Sequence, residues 1–303
     1  MLSCPCPSQR DWLVSAAGYK ADDEGSMNLL SACRETARRI FRIQNLRPEQ
    51  ESAMLAVLNG RDALVSLPTG FGKSLIYQVP AMIVERPTIV ISPLIALMTD
   101  QELALRKRGV PVVALHSRLR AAERRAALER LKKGGRLVVL TTPETLESAA
   151  TAPLFQRAQP ALLCVDEAHC ISEWGHDFRP SYLRMGDARK RLGNPPALAL
   201  TATATPRVRE DIAERLRLDK PRVIVAPAHR DNLRLTVDIV PGSEKFRAAA
   251  RRIKRLQRPG IIYCATTIAV DEVAAHSGAR VSRLRAITAR CVLPIETQHS
   301  VGS

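Results

Sequence analysis

Aromatic residues are scarce: Trp, Tyr and Phe together make up 4% of the 303 positions. Wherever two or more stand close together, they therefore ask for a reason. No apolar run approaches the roughly 18 residues that a membrane span requires. The first residues lack a basic start followed by an apolar stretch, so no secretory signal is read there. The seven cysteines (Cys4, Cys6, Cys33, Cys164, Cys170, Cys264 and Cys291) are odd in number and scattered. None forms a Cys-x-x-Cys pair, which argues against zinc and suits a reducing cytoplasm. Cys164 and Cys264 lie in apolar runs and are expected to be buried thiols. Acidic residues are also short, 30 against 46 Lys and Arg, for a net charge of +16. Such an excess suits a polyanionic partner, because cations that neutralise phosphates release counterions. A solvated Arg-rich surface gives the same count, and charge alone does not separate nucleic acid from anionic lipid.

What is present is alternation. Short β-rich runs at 63–67, 88–92, 110–115, 137–141, 162–166, 198–201 and 222–226 are separated by amphipathic segments such as 120–133 and 206–216. This pattern predicts a parallel sheet covered by helices on both faces. Residues 1–33 read as an irregular extension, and 34–226 as the main α/β domain. A second α/β start is expected over 227–275, with strands at 233–240 and 260–264 and helices at 243–257 and 266–275. The pattern fades over 276–303, which reads as a divergent, disordered tail.

The run "LVSLPTGFGKSLIYQVP" is a strand, a loop containing glycines and a helix, the context that a phosphate-binding loop requires. Its candidate binding residues are Thr69, Gly70, Gly72, Lys73 and Ser74. The two glycines let backbone N–H groups turn inward, Lys73 reaches the β- and γ-phosphates, and Ser74 is a ligand for Mg²⁺. Leu67 stands where the simple pattern has its first Gly. The alternative is a glycine turn before a surface lysine.

The run "LLCVDEAH" ends a strand in two carboxylates. At the carboxyl edge of a parallel sheet they face the ligand crevice. Asp166 is expected to hold Mg²⁺, and Glu167 to orient and deprotonate the attacking water. The same pair could merely cap a helix. Trp174, His176, Phe178 and Arg179 follow directly in "SEWGHDFRP", where flat rings can stack on unpaired bases. They could instead pack the loop onto the core.

Taken together, "FRIQNLRPEQ", "LPTGFGKS", "SPLIALMTDQ", "DEAHCISEWGHDFRPSY" and "LTATAT" resemble the RecQ family of DEAH-box DNA helicases, over about residues 41–275. The resemblance implies a RecA-like P-loop NTPase lobe followed by the start of a second such lobe. It implies a 3′ to 5′ ATP-dependent DNA helicase acting in repair and recombination. Its cofactors are ATP and Mg²⁺, its partner is single-stranded or tailed duplex DNA, and its place is cytoplasmic, at the nucleoid in a bacterium. By the same resemblance Arg47 and Gln50 contact adenine, with Ile43 where relatives carry a stacking aromatic. His169 links the hydrolytic site to Thr201 and Thr203, while Ser92, Pro93 and Thr142 touch single-stranded DNA. The family's later motifs, including its arginine-bearing segment, are not found. A truncated or frameshifted half-motor that binds ATP and DNA without unwinding is therefore the alternative.

Overall fold

The computed structural model describes residues 23–175, 177–226, 234, 236–255 and 262–277. Two compact units divide at Arg230 and Asp231. In the first, seven strands form one sheet: β1 (Ala63–Ser66), β2 (Thr88–Ile91), β3 (Val112–Leu115), β4 (Val138–Thr141), β5 (Leu162–Val165), β6 (Ala197–Thr201) and β7 (Arg222–Val225). Their order is β3-β4-β2-β5-β6-β1-β7, and each pairing is parallel. Each strand falls on an expected run, shifted by at most two residues at an end. Six are buried along their whole length. That is why they read as continuous apolar runs rather than alternating ones. β7 ends the sheet with only Ile224 buried.

Successive side chains of a strand point to opposite faces, so each strand feeds two cores. Val65 and Val90 join one core with Cys33, Met54, Tyr77 and Met98, from the helices Asp23–Phe41, Pro48–Leu58, Leu75–Ile83 and Ile95–Lys107. Leu64, Ile89 and Ile91 join the other with Leu131, Phe155, Ala188 and Ile212, from the helices Ala121–Lys132, Ala152–Arg157, Met185–Arg191 and Pro206–Arg215. The α/β lobe with both faces covered is thus observed. Among the described residues, no helix is long and apolar enough to cross a membrane.

Two expectations are corrected. Part of the stretch read as irregular, 1–33, is helix, because Asp23–Phe41 is continuous. Its buried apolar residues form the narrow i, i+4 row Leu29, Cys33, Ala37 and Phe41, with Thr36 buried beside it. Two of those residues are small, so the row was too weak a signal to read as an amphipathic face. In the second unit the described residues form the helices Lys245–Arg255 and Thr267–Ser277, packed on each other. The described parts of the expected strands carry no ladder, and Val237, Ile239 and Tyr263 are exposed. Alternation such as "LRLTVDIV" makes a strand only where a neighbour accepts its hydrogen bonds, and none is described. Cys264 is only partly buried, unlike Cys164. The basic run at 251–255 in part faces acids, with Arg251 3.8 Å from Glu244 and Arg252 3.2 Å from Asp238.

Candidate active site and nucleic-acid interface

Register brings the motif loops to one edge. Ser66 lies beside Thr201, Val165 beside Ala199, and Ile91 beside both Val165 and Thr141. The residues that follow β1, β2, β4, β5 and β6 therefore leave the carboxyl edge of the sheet together, where open α/β sheets bind ligands.

After β1 the chain makes a tight loop. Gly70 and Gly72 have φ of +83° and +75°, which an L side chain adopts only with strain. At Gly72 a Cβ would also stand 2.7 Å from Gln50 Nε2. Gln50 is buried and donates to the carbonyls of Phe71 (2.9 Å) and Gly72 (3.1 Å), while its Oε1 accepts from the Arg47 N–H (2.9 Å). Gln50 thus splices the segment before the helix Pro48–Leu58 to the loop. The Arg47 guanidinium lies 4.6 Å from the centroid of Phe71, and Ile43 packs against the core. Leu67 is fully buried and its φ is not positive, so this loop needs no glycine there. The Lys73 ammonium donates to the Leu67 carbonyl at 3.1 Å. Thr69 is exposed, and Ser74 stands at the start of the helix Leu75–Ile83.

After β5 the backbone is strained. Glu167 has φ 50° and ψ 45°, a left-handed conformation that costs a non-glycine residue roughly 1–2 kcal/mol. It turns the chain from strand into the 3₁₀ turn Ala168–Ile171. Such outliers concentrate where function requires a fixed geometry. Asp166 is buried, and its pKa is pushed up to about 6, first by burial and then by the neighbouring Glu167 charge. The Glu167 N–H (3.0 Å from Oδ1), the Lys73 charge and a hydrogen bond from Gln101 work the other way. Lys73 and the acidic pair therefore share one site. Hard oxygen donors from Ser74 and Asp166, with a second carboxylate adjacent, fit a small divalent cation such as Mg²⁺.

His169 joins the acids to β6. Its Nδ1 lies 3.3 Å from Glu167 Oε2 and 3.1 Å from Thr201 Oγ1. The Thr201 hydroxyl donates to the Thr203 carbonyl (3.0 Å) and accepts from the Thr203 N–H (3.3 Å). With its proton directed to Thr203, Thr201 Oγ1 accepts from His169. That places the imidazole proton on Nδ1, shared with the Glu167 carboxylate.

The residues expected to meet DNA divide. Trp174 is 61% exposed. Phe178 and Pro93 are half-buried, and His176 lies outside the described residues. Ser92 is fully buried, and Thr142 is buried with its Oγ1 capping a short helix at the Thr145 N–H. Neither side chain offers DNA a surface; the Thr142 hydroxyl instead shapes its own loop. Next to Pro93, Leu94 is 48% exposed. Arg179 is also engaged, donating to Asp177 (2.9 Å) and to the Pro93 carbonyl (3.1 Å). It clamps the aromatic loop to the segment after β2.

Three neighbours of the candidate residues escaped the sequence reading. Gln101 accepts from the Tyr77 hydroxyl (3.1 Å) and bonds Asp166. Gly175 passes so close to the His169 carbonyl oxygen that a Cβ would collide with it. Arg207 places its guanidinium 3.5 Å from the Trp174 ring centroid. Gly175 stood beside Trp174 as a readable turn signal, whereas the other two contacts join segments far apart in sequence. Spacing likewise could not show that His169, Cys170 and Asp177 bring metal-ligand atoms within 4.8 Å of one another. Those atoms have other partners: Cys170 Sγ lies 3.8 Å from Asp177, Asp177 pairs with Arg179, and burial pushes the Cys170 thiol up to about 12.

The family model described as DEAD/DEAH box helicase matches residues 47–212. The chain belongs to that family. Within it the similarity is to RecQ-type proteins. A probable ATP-dependent DNA helicase RecS of Bacillus subtilis is 36% identical over 84% of this chain and 51% of its own length. The ATP-dependent DNA helicase Q5 of Rattus norvegicus is 41% identical over 82% and 27%, and RecQ of Pasteurella multocida 35% over 86% and 41%. The chain thus spans about half the length of these relatives or less. Among solved structures, the DUF1998 helicase MrfA superposes with TM-score 0.63 at 19% identity, over 83% of this chain and 41% of its own. Helicase Lhr of Mycobacterium smegmatis, solved with ssDNA and AMP-PNP, gives 0.62 at 19% identity over 83% and 36%. These two likenesses show the fold alone.

Proposed function

We propose that the first unit is the ATP-hydrolysing lobe of a RecQ-type 3′ to 5′ DNA helicase. The observation that carries this reading is the continuous path from Lys73 and Asp166 through Glu167, His169 and Gly175 to Trp174. Lys73 lets go of the Leu67 carbonyl to take up the terminal phosphates, while the Gly70 and Gly72 amides and the following helix end cradle them. The exposed Arg47 meets the base, while Gln50, buried with its amide engaged by the loop, positions Arg47 and the loop. Ser74 and Asp166 would hold magnesium, which when bound neutralises charge on the phosphate oxygens. Glu167 accepts the proton of the attacking water, and the His169 Nδ1–H fixes the orientation of its carboxylate. Because Gly175 packs on the His169 carbonyl, movement of the aromatic loop under a stacked base is transmitted to His169, and from there to Glu167 and Thr201.

The test is ATP hydrolysis by the 303-residue chain, with and without single-stranded DNA, beside strand displacement on a 3′-tailed duplex. We expect hydrolysis that DNA accelerates. Substituting both Trp174 and Phe178 with Ala should lower the ratio of DNA-stimulated to basal rate towards one. An unchanged ratio would break the coupling path, and no hydrolysis in either condition would break the whole reading. Binding and hydrolysis without strand separation would favour the half-motor alternative.

A further inference from the structure

Trp174 is a large exposed ring in a chain with two tryptophans. Its loop is short and follows the strained acidic turn. The ring is not left to move freely, because the Arg207 guanidinium lies on it, 3.5 Å from the centroid. Arg207 occupies the first turn of the helix Pro206–Arg215, whose N-terminus is capped by Thr205 Oγ1 accepting from the Val208 N–H (3.3 Å). That helix packs against the 3₁₀ turn Ala168–Ile171 and continues directly from Thr201–Thr205. The planar cation is therefore mounted on a rigid element, and the indole on a loop.

An arginine stacked on an indole covers one face and leaves the other open, consistent with the 61% exposure that remains. A delocalised guanidinium on one face is attracted by the ring quadrupole, and a base can occupy the opposite face. Arg207 is itself exposed, so a backbone phosphate can reach its guanidinium. We propose that Arg207 is a positioning residue for single-stranded nucleic acid. It holds Trp174 from behind as a rigid stacking platform and ties the stacked nucleotide to the Thr201–Thr205 segment. This inference rests on the reading of Trp174 as a base-stacking residue.

The experiment uses the full chain carrying Trp12→Phe, so that Trp174 is the one indole. Oligo(dT) at fixed salt is the probe, followed by Trp174 fluorescence, and by anisotropy of labelled DNA where Trp174 is replaced. Arg207→Ala should weaken binding about 3–10-fold, the size of an exposed to partly desolvated cation–π contact. Arg207→Lys keeps the charge but loses the plane, and should recover only part of that loss. In the free protein, Arg207→Ala should also make Trp174 more accessible to acrylamide, because its second face is uncovered. Combined with Trp174→Ala, the Arg207→Ala loss should shrink rather than add. Unchanged affinity, additive losses or full recovery by lysine would overturn the proposal. Tighter binding by Arg207→Ala would also overturn it, since Arg207 would then be a plug that DNA displaces. If Trp174→Ala leaves binding unchanged, the stacking reading beneath it fails. If Trp174→Ala weakens binding and Arg207→Ala does not, only the role of Arg207 fails.

Discussion

Two buried aspartates stand at opposite ends of the same sheet, and their surroundings differ in every respect that matters. Asp62, just before β1, is 3% exposed and accepts from the Arg189 guanidinium (2.6 Å), the Ala197 N–H (2.8 Å) and the Asp219 N–H (2.8 Å). Arg189 is buried in turn and also donates to the carbonyls of Pro195 and Arg217, both at 2.9 Å. Each charge there is matched. Asp166, just after β5, is 6% exposed, yet its nearest charged neighbour in sequence is another carboxylate, on a backbone in a strained conformation. A buried acid with its bonds satisfied holds the amino edge of the sheet together. One whose carboxyl is pushed up by burial and a second carboxylate is a candidate site residue instead.

The contrast breaks most sharply if removing the site acids harms folding rather than chemistry. Glu167→Gln should lower ATP hydrolysis about 10²–10⁴-fold, the usual contribution of a general base, with no loss of stability in urea titration. Asp62→Ala should do the reverse. Leaving Arg189 buried and unpaired should cost about 3–5 kcal/mol of unfolding free energy. Equal stability of that variant and the parent would show the staple to be idle. Glu167→Gly sharpens the comparison. Release of the left-handed strain should raise stability by about 1 kcal/mol while hydrolysis is lost.

The smallest effect expected is on pH dependence, measured without metal. The Asp166 carboxyl is pushed up to about 6 from its ordinary 3.8 by burial and then by Glu167. A raised acid binds its proton more tightly in the folded state. Its contribution is therefore fully present below 3.8 and is lost as pH rises through about 6. The stability of the parent relative to Asp166→Asn should fall between pH 4 and 6 and level off above 7. A flat difference across that range would show that Asp166 is not desolvated.

The strands were legible because each is a run of four or five apolar, often β-branched residues bounded by turn residues, and burial on both faces leaves no other pattern. The candidates for a phosphate loop and an acidic pair could be picked out because each is a local pattern: glycines and a lysine in one short run, two adjacent carboxylates in the other. Helix Asp23–Phe41 was cut short at its start because a ridge containing Cys33 and Ala37 carries little hydrophobic weight. Ser92 and Thr142 were read as DNA contacts from their motif, but burial follows from what packs over them, which a motif does not record. In the second unit, alternation at 233–240 promised a strand that its described neighbours do not pair.

By itself, the sequence determined which chemical groups this protein carries and on which loops, since strand ends and glycine turns are set by neighbours a few residues away. The tertiary structure alone decided what each group can do. It paired Asp62 with Arg189, buried Asp166 beside Glu167, set Gly175 against His169, and laid Arg207 on Trp174. Electrostatic cost and stacking depend on distances of a few ångströms between residues that can be 32 or 127 positions apart, as with His169 and Thr201 or Asp62 and Arg189. Those distances exist only once the chain has closed its sheet.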